Sequence, residues 1–223
     1  HLSIKKLLIA GGGWGCTLAI AYGIKYSENV IAFILRGTFL STHSEFNWLY
    51  KTNGVEKFYP EFYQDFIKLL PKEYQKSPIE GYLTLLNSDN EVAVIAASKA
   101  WVLWQLRLST TEHHHIALAQ VNDPHQALCM AKLMTHYFNN GCFFDEGYLV
   151  EQLQNIANIP AIFLHGRYDM ICPLITVSQL TQAWQNSQLQ ILPNAGHSGF
   201  ETQTIDAFCK ATDTMATFLN ESH

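Results

Sequence analysis

The chain has 223 residues, 48% hydrophobic and only 15% charged, which excludes a disordered protein and allows one good core in one or two domains. Its net charge of −5 leaves no basic footprint for nucleic acid, and its apolar runs are too short to span a bilayer. The five cysteines (Cys16, Cys129, Cys142, Cys172 and Cys209) are odd in number and lack C-x-x-C spacing, so they read as reduced, mostly buried thiols of a cytoplasmic protein.

In chain order, residues 4–10 read as a buried strand and residues 16–22 as a small-residue helix. Between them, Gly11, Gly12, Gly13, Trp14 and Gly15 have the frame of a nucleophile elbow, a strand–turn–helix built on Gly-x-Ser-x-Gly. The middle position, which should hold the reactive hydroxyl, is Gly13. Glycine sits at such a strained apex without penalty, so losing the hydroxyl relieves strain and leaves the fold intact. Taken alone, the glycine cluster is equally compatible with an ordinary strand-to-helix turn or a phosphate-binding loop.

A second strand covers residues 29–35 and ends at Arg36 and Gly37. Residues 40–157 then show helical spacing, many aromatics and no strand alternation. Trp48, Tyr50, Phe58, Tyr59, Phe62, Tyr63, Trp101 and Trp104 are candidates for lining a pocket there, although each taken singly fits core packing better. Three consecutive histidines, His113, His114 and His115, cannot all face one ion from a helix and read as an exposed polar stretch. Cys16 lies one helical turn beyond Gly13, off the apex, and is not a substitute nucleophile.

Strand-and-helix alternation resumes with a strand over 160–166, a helix near 173–184, a strand over 188–192 and a terminal helix over 204–219. The β-α-β pattern calls for a parallel sheet. Asp169 follows the first of these strands and His197 lies in a glycine-flanked loop after the second. Each residue alone fits a turn or loop role. The order elbow, Asp, His is that of α/β-hydrolases, in which the acid fixes the imidazole tautomer and the imidazole takes the hydroxyl proton. The expected architecture is an α/β-hydrolase-type parallel sheet formed by residues 1–40 and 158–223, with an inserted helical cap over 41–157. No motif calls for a metal or cofactor.

Several strings together resemble the proline iminopeptidases, α/β-hydrolases that remove an N-terminal proline. They are residues 11–18, Leu35-Arg36-Gly37 with Phe39-Leu40, Lys99-Ala100-Trp101 with Trp104, His136-Tyr137-Phe138, residues 165–169, and Gly196-His197-Ser198. The resemblance spans nearly the whole chain. It implies that Asp169 and His197 are the triad acid and base, that Gly13 stands where the family has serine, and that Trp14, beside the apex, borders the substrate. It also implies that Gln105 and Met134 replace two glutamates that hold the substrate's N-terminal amine. A buried ammonium needs an opposite charge, so these departures remove binding energy as well as the nucleophile.

Family members also carry a longer segment before the elbow, with sheet strands and an oxyanion-hole loop. The chain starts without Met and shows no secretory signal, and a removed upstream segment stays open. The elbow strand is therefore expected to have an unpaired edge that self-associates or accepts a complementing N-terminal segment. A small peptide or proline-like molecule is the expected ligand. Neither nucleic acid nor membrane is expected as a partner.

Overall fold

The computed structural model describes residues 4–111 and 123–221; His113, His114 and His115 lie outside the described residues. The chain divides into two compact units, one formed by His1–Leu40 with Gly147–His223 and the other by Ser41–Glu146.

The first unit is built on a parallel sheet of β1 (Leu7–Gly13), β2 (Val30–Thr38), β3 (Ala161–Gly166) and β4 (Ser187–Leu192), in that spatial order. Helices α1 (Trp14–Lys25), α7 (Tyr148–Glu151), α8 (Leu174–Ala183) and α9 (Thr202–Glu221) belong to the same unit. β2 and β3 are apolar without alternation because both sheet faces are covered, as parallel sheets require. One face of β2, Ala32 and Ile34, packs with Ile162, Leu164 and Leu192 against Ala207, Ala211 and Met215 of α9. On β2 and β3, the neighbouring Phe33 and Phe163 meet the ring of Trp184 edge-on, with centroids 5.3 and 5.4 Å away. β4 keeps the expected alternation of half-buried Leu189 and Ile191 with exposed Gln188 and Gln190.

β1 departs from expectation. It starts at Leu7 rather than residue 4, continues through the three glycines, and is only partly buried. As a sheet edge among the described residues it has one strand neighbour, β2, so Ile4 and Leu7 stay exposed. The second unit boundary also differs, falling after Glu146 rather than after residue 157. Residues 147–157 pack instead through α7 and the turn Leu153–Asn155 onto α1.

The second unit contains α2 (His43–Tyr50), α3 (Pro60–Ile67), α4 (Pro78–Leu86), α5 (Glu91–Ser109) and α6 (Pro124–Asn139), with no strand among its described residues. Its helices start at local signals. Thr42 and Glu45 form a capping box on α2, Asn90 caps α5, and Asp123 caps α6. The interior is aromatic: Tyr50 stacks on Trp101 at 5.1 Å, and Phe66 stacks on Tyr82 at 4.6 Å and on Trp104 at 5.3 Å. Tyr50, Tyr63, Trp101 and Trp104 are therefore core side chains, whereas Trp48, Tyr59 and Phe62 are half-buried and Phe58 is exposed.

Candidate active site

The site is assembled at the C-terminal ends of β1, β2 and β3 and in the loop after β4. β1 ends at Gly13, whose φ of 55° and ψ of −120° lie where a Cβ is disfavoured. Trp14, partly buried, opens α1 directly behind it, so the elbow has the expected strand–apex–helix form with no gap. An ideal Cβ on Gly13 would lie 3.1 Å from His197 Nε2 and 3.4 Å from its Cε1. The apex is aimed at the imidazole.

The opposite edge of that ring meets Asp169, with His197 Nδ1 2.8 Å from Asp169 Oδ2. Asp169 is fixed by its own turn: its Oδ1 accepts the backbone N–H groups of Ile171 at 3.0 Å and Cys172 at 2.8 Å. Burial pushes the Asp169 carboxyl up, but attraction and hydrogen bonding to His197, His165 and the Cys172 N–H together hold it below the usual carboxylate range. The residue that accepts from His197 is thus an ionised carboxylate, which selects the imidazole tautomer with the proton on Nδ1 and a free lone pair on Nε2 toward Gly13.

Three residues complete this arrangement. Gly37 has φ 51°, and a Cβ there would fall 2.9 Å from His197 Cε1 and Nδ1 and 3.3 Å from Asp169 Oδ2. The β1–β2 register skips it, pairing Gly12 with Arg36 and Gly13 with Thr38, so a bulge turns its bare Cα toward the ring. Arg36 donates to the His197 carbonyl. His165, fully buried on β3, donates from Nε2 to the Cys172 carbonyl at 2.9 Å and lies 3.6 Å from Asp169 Oδ2. Burial pushes the His165 pKa down, and its Nδ1 has no hydrogen-bond partner among the described residues. Sequence spacing carries no sign that Gly37 must stay bare, since the bulge that aims it arises only when β1 and β2 pair.

Asp169, Cys172 and His197 also bring three ligand-type atoms within 4.8 Å of one another. Both Asp169 oxygens and His197 Nδ1 are already spent on the hydrogen bonds above, so the geometry is that of an acid–base pair. Gly13, Asp169 and His197 are therefore brought together. Gln105 and Met134 belong to the other unit. There, Gln105 is buried on α5 and donates from Nε2 to the Tyr50 hydroxyl at 2.6 Å, and Met134 is half-buried on α6.

The family profile of the α/β hydrolase fold matches residues 1–204. A proline iminopeptidase of Xylella fastidiosa is 39% identical over 215 residues, covering 96% of this chain and 68% of the relative. One from Arabidopsis thaliana is 34% identical over 203 residues, covering 90% of this chain and 53% of the relative. The chain belongs to the proline iminopeptidase family of α/β hydrolases. Solved structures agree on the fold: a putative lipase from Acinetobacter baumannii superposes with a TM-score of 0.59 at 16% identity, over 96% of this chain and 62% of its own. An esterase from Exiguobacterium antarcticum does so with a TM-score of 0.55 at 16% identity, over 98% and 68%. Members of this fold place a strand-end elbow, acid and histidine in that chain order, the order found here for Gly13, Asp169 and His197.

Proposed function

We propose that this chain is a proline iminopeptidase-like hydrolase without peptidase activity, retaining the acid and base of a triad whose nucleophile position is Gly13. The observation that carries the reading is the apex geometry: the Cβ direction of residue 13 points at His197 Nε2, and residue 13 has no hydroxyl to offer it. In the intact reaction the serine oxygen would give its proton to Nε2 and bond to the acyl carbon as the carbonyl π electrons move onto oxygen; the imidazolium, stabilised by Asp169, would then return that proton to the leaving amine as the C–N bond breaks. Asp169 and His197 keep their roles in this chain; the attacking atom is what it lacks. Gln105 and Met134 reinforce the reading, because neither supplies the negative charge that a substrate ammonium would need. The ligand class is a small peptide or proline-like molecule, bordered by Trp14 at the apex.

Hydrolysis of a proline arylamide is the test. The native chain is expected to match a His197→Ala control, and turnover that His197→Ala abolishes would overturn the reading.

A second reading, an active prolyl aminopeptidase represented by an altered or incomplete chain, is favoured by the preserved 2.8 Å contact between His197 and Asp169. It requires that Gly13→Ser alone restore turnover. If instead Gly13→Ser needs Gln105→Glu and Met134→Glu as well, the loss extends beyond the nucleophile. Either reading fits a cytoplasmic setting, supported by five free cysteines, and among the described residues no helix is long and apolar enough to cross a membrane. The position of β1 at the sheet edge supports self-association or capture of a complementing N-terminal segment, which light scattering with and without an added strand peptide would test.

A further inference from the structure

We propose that Arg36 and Glu201 are positioning residues that hold the His197 ring in line with Asp169 and residue 13 by gripping its loop from both sides; this rests on the acid–base reading above. The loop between β4 and α9 contains no helix or strand; the Tyr168 N–H holds its Ala195 carbonyl at 3.0 Å, and beyond that point two side chains bond its backbone at adjacent residues. Glu201 Oε2 accepts the Gly196 N–H at 2.6 Å, and Arg36 Nη1 donates to the His197 carbonyl at 2.7 Å. A carboxylate on an N–H and a guanidinium on a carbonyl are both charge-assisted bonds, shorter and stronger than neutral ones.

Both side chains are set by the fold. Glu201 is 6% exposed and sits immediately before α9. Arg36 ends the regular pairing of β2, and its guanidinium crosses two glycines: a Cβ on Gly12 would lie 2.6 Å from its Cζ and Nε, and one on Gly199 2.8 Å from its Nη2. Gly12 in β1 and Gly199 in the histidine loop thus form a slot that a planar fork fills and a lysine ammonium would not. Burial in that slot lowers the Arg36 pKa, and attraction to Asp169, Cys172 and Cys16 works against the fall. The side chain so held grips the loop carrying the base.

The test reads the histidine itself, so it does not depend on any substrate. In protein with 15N-labelled histidine, the His197 Nδ1–H donating to Asp169 gives a far-downfield proton resonance, assigned by its loss in His197→Gln. In Arg36→Lys and Glu201→Gln proteins that keep the native circular dichroism, we expect this resonance to be lost or to exchange with water at least tenfold faster. The His165 ring signals should stay in place. Retention of the His197 resonance at its native shift and exchange rate in both variants would overturn the proposal. Glu201→Gln changes no side-chain shape and carries the test if Arg36→Lys fails to fold. On a Gly13→Ser background, the same variants should lower kcat at least tenfold with little change in KM. Absent turnover with the resonance behaving as expected would instead count against the enzymatic reading.

Discussion

The two units reach order by different means. In the helical unit, α2, α5 and α6 start at a side-chain cap and α3 and α4 at a proline, and the interior is a set of packed rings, Tyr50, Phe66, Tyr82, Trp101 and Trp104, with the Tyr82 hydroxyl donating to the nearby Phe66 carbonyl and the Tyr50 hydroxyl accepting from Gln105. Trp101 Nε1 and Trp104 Nε1 lack hydrogen-bond partners among the described residues. In the sheet unit, the decisive contacts join residues far apart in sequence and are polar: Arg36 to His197, His197 to Asp169, Thr17 to Phe39. The helical interior is expected to be most sensitive to lost volume. The sheet unit, at its strand ends, is intolerant of a single methyl group.

The largest effect should come from volume. Trp101→Ala removes a fully buried ring and is expected to cost about 3–5 kcal/mol in chemical denaturation, whereas Trp101→Phe should cost far less because the indole N–H loses no partner. The His197 Nδ1–H resonance should survive either change in protein that remains folded. Gly37→Ala is the counterpart in the sheet unit. With φ at 51° and a Cβ 2.9 Å from the imidazole, it should cost roughly 1–3 kcal/mol and abolish that resonance.

Acid sharpens the contrast, since the buried titrating pair of His165 and Asp169 belongs to the sheet unit. His165 has a lowered folded pKa, so the unfolded chain binds the extra proton first and stability falls as pH drops below about 6.5. The slope is at most about 1.4 kcal/mol per pH unit for one proton. Asp169, also held low, adds a second loss as pH falls below about 4. His165→Gln, which can keep an N–H on the Cys172 carbonyl, should flatten the first limb between pH 7 and 5.5 and leave the second. Denaturant midpoints at each pH check both.

Smaller effects remain. Thr42→Ala should remove the capping box of α2 for about 1 kcal/mol, without moving the histidine resonances. Gly13→Ser should cost roughly 1 kcal/mol, since the new Cβ must push His197 aside by a few tenths of an ångström at a positive φ. A Gly13→Ser protein as stable as the parent would show that the apex is already shaped for a side chain.

Much of this protein was legible in its residues. Apolar runs located β2 to β4, although β1 starts and ends later than its pattern suggested, because strand limits depend on pairing. The order of Gly13, Asp169 and His197 pointed to one site, since strand ends of a parallel sheet converge. The boundary after Glu146 was not legible, because residues 147–157 are helical on either side of it and only packing on α1 assigns them. Nor was the role of Gly37, Arg36 or Glu201.

The sequence by itself determined the resemblance to the family, the strand-end positions of Asp169 and His197, and the glycine at residue 13. Those are properties of residue identity and local order. Only the tertiary structure decided that the imidazole faces the apex, that Gly37 must be bare, and that Arg36 and Glu201 grip one loop. Each depends on atoms more than a hundred positions apart meeting within about 3 Å, or on a backbone turn set by its neighbours, and no spacing along the chain records that.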